Sequence, residues 1–327
     1  MPKAELHLHL EGSIEPATAV RLAARHGTLI TEQEVRERYS PGDFTKFLEA
    51  FKWVTSFLRT PADHALITER LAEQLLSQNV VYAEVTLSIG VMLLRKQDGL
   101  ANFAAIREAA KKYESRGLQV QFIFDAVRQF GVAAAEEVVR LASKCVRENV
   151  VAFGIGGDEL ASPAKDFVGV YERAGSAGLG LLIHVGEIGS PASVKEAVEL
   201  LGVTRIGHGI AAVNDQSVMD FLMERKITLE LCPTSNIRTG ALARQIGKPS
   251  ARLEEHPLKM FFDRGLQITL STDDPAMFET TLLGEYAHAH DAMRMSSTSL
   301  VRIAKMGFEN AFLSDEAKAH YLDSAHD

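Results

Sequence analysis

The chain has 327 residues, 46% of them hydrophobic and 24% charged, and carries a net charge of -8. That composition supplies a sizeable core and excludes extended disorder, while the acidic balance argues against nucleic acid and anionic membrane as partners, because both select clustered Lys and Arg. Cys145 and Cys232 form no disulfide framework or CxxC pair, and no stretch reaches the ~20 apolar residues of a membrane span. With an N-terminus that runs straight into patterned sequence rather than a leader, a cytoplasmic protein is expected.

Short apolar, β-rich runs recur at residues 4–10, 80–88, 120–127, 150–157, 180–187, 204–209, 227–233 and 266–274. Between them lie segments of helical periodicity, such as 192–201 and 216–225, many closed by Gly. Near-continuous apolar strands alternating with helices indicate a covered parallel sheet, and eight such units predict closure into a (β/α)8 TIM barrel. The interval 11–79 is too long for one crossover and predicts extra helices after strand one. It holds Phe44, Phe47, Phe51, Trp53 and Phe57. Phe44, Phe47 and Phe51 fall at helical spacing, which fits first a helix packed on the barrel and, as the sharper alternative, a lid over a pocket mouth. No linker or low-complexity tract divides the chain, so one domain spanning 1–327 is expected.

His7 and His9 sit two apart in strand one and share a side of it. A lone HxH is a weak signal, but the pair lies near the carboxyl end of the strand, where barrel enzymes build their sites. Strand five ends in His184-Val185-Gly186-Glu187, strand six carries His208 between glycines, and strand eight ends in Asp273-Asp274-Pro275. Any one of these could be a cap or a turn residue; together they assemble three imidazoles and a carboxylate with further acid/base groups. Such a set suits Zn²⁺ with a position left for water, whose pKa the metal lowers towards ~7. Glu187, His208 and Asp274 are suited to proton transfer and orientation. Strand four ends Gly156-Gly157-Asp158-Glu159 without the Lys that would bridge two metals, so one ion per chain is expected, although Asp158 or Glu159 could hold a second. The glycines fit a tight turn and also close approach of a flat ring to the backbone.

Six segments resemble the adenosine deaminase family of metal-dependent amidohydrolases, in family order: His7-Leu8-His9-Leu10-Glu11-Gly12-Ser13, Gly156-Gly157-Asp158-Glu159, His184-Val185-Gly186-Glu187, Gly207-His208-Gly209, Cys232-Pro233-Thr234-Ser235-Asn236 and Ser271-Thr272-Asp273-Asp274-Pro275. The resemblance implies zinc ligation by His7, His9, His184 and Asp273. It gives Glu187 protonation of purine N1 while water adds at C6, His208 and Asp274 orientation of that oxygen, and the Gly157 amide contact with N3. An aromatic helix over the pocket, here with Phe47 and Phe51, is also implied, and His9 and Glu11 would face the substrate. Glu11 stands where many members carry an Asp that meets the ribose 5'-hydroxyl. The reaction implied is hydrolytic deamination of a 6-aminopurine nucleoside, adenosine or a 5'-modified form such as aminodeoxyfutalosine. The alternatives are free adenine, hydrolysis of an ester, amide or phosphoester by another barrel metallohydrolase, or a non-catalytic zinc or purine binder.

Overall fold

The computed structural model describes residues 1–40 and 42–324. Eight parallel strands, β1 Lys3–His9, β2 Val80–Leu87, β3 Gln119–Val127, β4 Val150–Gly156, β5 Gly180–Val185, β6 Arg205–His208, β7 Thr228–Leu231 and β8 Gln267–Leu270, pair in chain order. The ring is closed by a parallel bridge between Leu8 and Asp273, in which Asp273 N–H donates to His7 O (3.0 Å) and His9 N–H to Asp273 O (2.8 Å). This is the (β/α)8 barrel expected from the strand-helix alternation. Its closing seam runs through three of the residues singled out as metal ligands.

Each strand begins within a residue of its apolar run, and the site residues lie toward the strand ends and in the turns just beyond them. β5 ends at Val185 and Gly186 turns away at φ +70°; beyond β8, Asp273 sits at φ +67° and, at the tip of β6, His208 at φ +64°. Left-handed backbone at non-glycine residues costs of order 1–3 kcal/mol and persists where the surroundings over-determine it. For Asp273 the two seam hydrogen bonds supply that constraint.

Strict alternation fails in β1. Glu5 pairs with Ala83 and Leu8 with Val85, so three steps on β1 oppose two on β2. The extra residue is a bulge, a device that re-aims side chains beside active sites. Glu5 packs outward, where Thr272 N–H donates to it (3.1 Å), whereas Leu6 packs with Tyr82 and Phe308 inside the barrel floor and His7 also points inward at the layer above.

The extra helices after β1 are Pro16–Arg25, Glu32–Arg38, Phe44–Val54 and Pro61–Ser77. Pro61–Ser77 starts on a capping box in which Thr60 and Asp63 bond each other's backbone, with Pro at its first position. It buries Ile67, Leu71 and Leu75, each contributing roughly 2 kcal/mol of apolar burial. At the opposite end of the barrel, Phe312 packs against Ile123, Ala152 and Leu182, closing the floor with the segment that follows helix Ser297–Glu309. No helix among the described residues is long and apolar enough to cross a membrane.

Candidate metal centre and pocket

Four imidazoles meet over the carboxyl ends of β1, β5 and β6. Ring centroids are 4.6 Å apart for His7–His184, 5.1 Å for His7–His208, 5.2 Å for His9–His184 and 5.6 Å for His184–His208. Asp273 reaches into this group from the turn after β8, its Oδ1 3.4 Å from His7 Nε2 and 3.0 Å from His9 Nδ1 and its Oδ2 3.8 Å from His208 Nε2. Potential ligand atoms fall into two overlapping sets, His7–His184–His208–Asp273 and His9–Asp273–Asp274, each within 4.8 Å. Of the expected ligands, His7, His184 and Asp273 fall in one set, which also takes in His208, whereas His9 joins Asp273 in the other, beside Asp274. His208 and Asp274, expected to work on the attacking oxygen, thus each fall among the potential ligand atoms, one in either set.

The donor set fits a cation. His7 Nε2, His9 Nδ1, His184 Nδ1 and Asp274 Oδ1 are buried and have no hydrogen-bond partner, and unsatisfied buried polar atoms cost about 1–3 kcal/mol each unless a ligand, ion or water takes them up. Borderline imidazole nitrogens beside a carboxylate oxygen are the donors zinc prefers.

Electrostatics separate the acids. Burial works against a charged ring at His7, but the neighbouring carboxylates of Asp273 and Glu230 outweigh it and push His7 up to about 9. Burial likewise opposes charge on His9, yet Asp274 and Asp273 push it up to about 10. Asp273, though buried, is held far below the usual carboxylate range by His7 and His9. Its neighbour Asp274 goes the other way, driven well up by burial and by the charge on Asp273. Burial, then Asp273 and Glu159, lift Glu187 well above the carboxylate range. A carboxyl group kept protonated near neutral pH can act as an acid.

Glu187 is held by its backbone. The Glu159 carboxylate accepts hydrogen bonds from four successive amides, Gly186 (2.6 Å), Glu187 (3.2 Å), Ile188 (3.1 Å) and Gly189 (2.9 Å), and from Ser193 Oγ (3.1 Å). Its oxygens are thereby engaged in the loop after β5 and not aimed at a second metal. Asp158 caps its own turn, its Oδ1 accepting from Leu160 N–H (3.0 Å).

The proton on His208 can be placed by elimination. Leu258 N–H donates to His256 Nδ1 (3.1 Å), so His256 carries its proton on Nε2 and donates to Asn236 Oδ1 (3.2 Å). Asn236 Nδ2 then donates to His208 Nδ1 (3.2 Å), which leaves the His208 proton on Nε2. That nitrogen faces Glu187 Oε2 at 3.7 Å and Asp273 Oδ2 at 3.8 Å. Burial holds both rings neutral, His208 at about 4 and His256 at about 3.

Above the imidazoles opens a cavity of about 450 Å³. Gly156, Gly157, Glu187 and Asp274 line its depth, and Phe44, Phe47, Leu48 and Phe51 of helix Phe44–Val54 form one wall, facing Val91 and Leu94. Arg95 clasps this helix, bonding Lys52 O (2.8 Å), Thr55 Oγ1 (3.0 Å) and Thr55 O. The aromatic helix thus packs on the barrel and walls the pocket at once. Gly157 has φ +90° and a Cβ there would stand 2.4 Å from Gln129 Oε1, so the turn and the packing of Gln129 both call for glycine at this residue. Glu11 lies one layer behind. It is buried, takes Ser88 N–H on Oε1 (3.1 Å), leaves Oε2 without a partner, and borders a small void beside Thr55, His64 and Arg95 instead of the main cavity.

Sequence reasoning missed Asp125, Glu230 and His256. Asp125, two residues before the end of β3, lines the cavity, and burial pushes it up to about 7. Glu230 accepts from His7 Nδ1 at 2.6 Å. The available signal was a lone carboxylate within an otherwise apolar strand, as in Phe122-Ile123-Phe124-Asp125 and Thr228-Leu229-Glu230-Leu231, since such groups are rarely buried unless paired.

A parallel barrel with His and Asp donors gathered at the carboxyl ends of its strands defines a metal-dependent barrel hydrolase. The family is identified by comparison: the model described as adenosine deaminase matches residues 2–327. The chain is 37% identical to an aminodeoxyfutalosine deaminase of Streptomyces avermitilis, over 98% of this chain and 88% of the relative. Its fold matches the crystal structure of an adenine deaminase from Arthrobacter aurescens at TM-score 0.92 and 28% identity, covering 99% and 98% of the two chains. A zinc-bound amidohydrolase from Burkhoderia ambifaria matches at TM-score 0.90 and 25% identity, covering 100% of this chain and 90% of the other. The chain belongs to the adenosine deaminase family, and is a hydrolase acting on C–N bonds with a metal-dependent site.

Proposed function

We propose that the chain acts as one catalytic domain over residues 1–327 and deaminates, by hydrolysis at C6, a 6-aminopurine nucleoside, adenosine or a 5'-extended form such as aminodeoxyfutalosine. One zinc ion, held by His7, His9, His184 and Asp273, would lower the pKa of water and so supply a nucleophile at neutral pH. The remaining roles fall to the chain. Glu187, protonated in its buried position, donates to ring N1 as the C6 carbon becomes tetrahedral. His208 Nε2–H and Asp274 orient the attacking oxygen, and the Gly157 amide meets N3 on the ring's far edge. Phe47 and Phe51 cover the base and exclude water.

The observation that carries the reading is Glu187, a buried carboxylic acid facing the imidazole cluster in a cavity with an apolar wall. The cavity continues past that point to Phe44 and Leu94, which favours a substituent beyond the ribose. A second reading, free adenine, is favoured by Glu11, which is set behind the wall instead of reaching a 5'-hydroxyl. Steady-state kinetics of the zinc-loaded protein on adenosine, aminodeoxyfutalosine and adenine decide between them. The proposal expects the highest kcat/KM on a nucleoside; turnover of adenine alone would establish the second reading, and no spectral change with any of the three would overturn both.

A further inference from the structure

Beneath His7 the barrel interior is ionic rather than apolar. Glu230 on β7 takes the His7 Nδ1 hydrogen bond on Oε2 (2.6 Å) and the Arg205 Nε hydrogen bond on Oε1 (2.5 Å). Arg205, on β6 and fully buried, reaches across to Glu84 Oε2 on β2 (2.6 Å) and donates to Leu6 O on β1 (3.2 Å). Glu84 Oε1 accepts from Tyr82 OH (2.8 Å) and from Phe312 N–H (2.6 Å). The far end of this chain is therefore tied to the C-terminal segment, where Asn310 O accepts from Arg205 (3.2 Å) and the Phe312 ring lies 4.1 Å from the guanidinium. Gly180, the first residue of β5, makes room for that ring: a Cβ at this position would stand 2.4 Å from Phe312 Cε1.

Burying two carboxylates and one guanidinium is costly, and an isolated ion triad is often no more stable than an apolar replacement. A layer of this kind under a cluster of unsatisfied imidazoles has a second use. Two carboxylates against one guanidinium leave one negative charge facing the cation site. The Glu230 carboxylate, anchored on its other oxygen by Arg205 Nε, accepts from His7 and so keeps the His7 proton on Nδ1. In the neutral ring that a bound cation requires, the bare Nε2 is then turned toward Asp273. Carboxylates that hold a metal-binding imidazole in this way typically contribute 10- to 100-fold in metal affinity.

We propose that Glu230 and Arg205 are positioning residues that fix His7 for metal binding, and that the C-terminal segment at Asn310–Phe312 holds them in place from the opposite end of the barrel. This rests on His7 being a metal ligand. Metal retention would then depend on Phe312, a residue of the floor that packs with Ile123, Ala152 and Leu182 and does not line the cavity.

The test measures zinc dissociation constants by chelator competition, and the His7 ¹⁵N shifts of the metal-free protein at alkaline pH, where the ring is neutral, for wild type, Glu230→Gln, Phe312→Leu, Gly180→Ala and His7→Ala. Glu230→Gln is expected to weaken zinc binding by about 10- to 100-fold and to abolish the Nδ1–H preference of His7. Phe312→Leu and Gly180→Ala should weaken it by smaller factors in the same direction while the folded far-UV spectrum is kept. Should Glu230→Gln fail to fold, Phe312→Leu alone decides the matter. Wild-type zinc affinity and an unchanged His7 tautomer in the folded variants overturn the inference. If that occurs while His7→Ala loses zinc, the metal site stands and only the buttress fails; if His7→Ala keeps zinc at wild-type affinity, the ligand assignment itself is wrong.

Discussion

Glu187 and His208 are chemically useful because burial drives their proton equilibria apart, with one carboxyl kept protonated and one imidazole kept neutral. Replacing Glu187 by Gln preserves shape and removes the transferable proton. The variant is expected to lose about 10²- to 10⁴-fold in kcat with zinc content unchanged by atomic absorption, because Glu187 is assigned no ligand role; loss of zinc would show that the assignment is wrong. His256 acts at one remove, by orienting Asn236 and through it His208. Its native pKa is depressed to about 3, against ~6.5 for a free imidazole, so the unfolded chain takes up the proton first as pH falls. The associated stability is complete above pH ~6.5 and declines towards pH ~3, by up to about 1.4 kcal/mol per pH unit. Urea midpoints at pH 7 and pH 5 should therefore differ less in His256→Gln than in wild type; an equal or larger difference would exclude a neutral His256 in the native state.

At the scale of elements, the loop 186–189 after β5 is short and rich in backbone donors that strands and helices leave unpaired. Glu159 satisfies four of them, and so places the Glu187 side chain by fixing its main chain. Glu159→Gln puts an amide donor where two acceptors are needed. A stability loss of about 1–3 kcal/mol is expected together with a fall in kcat larger than any change in KM, read from denaturant titration and steady-state kinetics. A variant whose KM rises with kcat intact would mean that the loop serves binding instead of proton transfer. The β1 bulge is the other element with a functional consequence: it lets Leu6 close the floor and His7 enter the site from successive positions. The HxH spacing revealed that His7 and His9 share a side, whereas the bulge below them left no mark in the apolar pattern.

Over the whole molecule, barrel closure and metal binding are one event in space, since the Leu8–Asp273 bridge joins the first and last strands through the candidate ligands. An ion that binds only the closed barrel stabilises it by mass action, about 4 kcal/mol at a thousand times Kd. Dialysis against a chelator should lower Tm by several degrees, restored by one equivalent of zinc per chain; two equivalents needed for full recovery would refute a mononuclear centre. The eight strands, the extra helices and the six motif segments were legible because each depends on periodicity or on residues close in sequence. Glu230 with His7, and His256 with His208, were not, because these pairs are separated by 223 and 48 residues.

Sequence alone thus determined the architecture and the kind of chemistry: strand-helix alternation dictates a parallel barrel, and donors placed at strand ends must meet at one rim. Only the tertiary structure decided protonation, tautomers and support. Burial, the spacing of charges and the donors that face each ring exist only once the barrel has closed, and they turn a set of His, Asp and Glu residues into an acid, a neutral donor and a cation site buttressed from the floor.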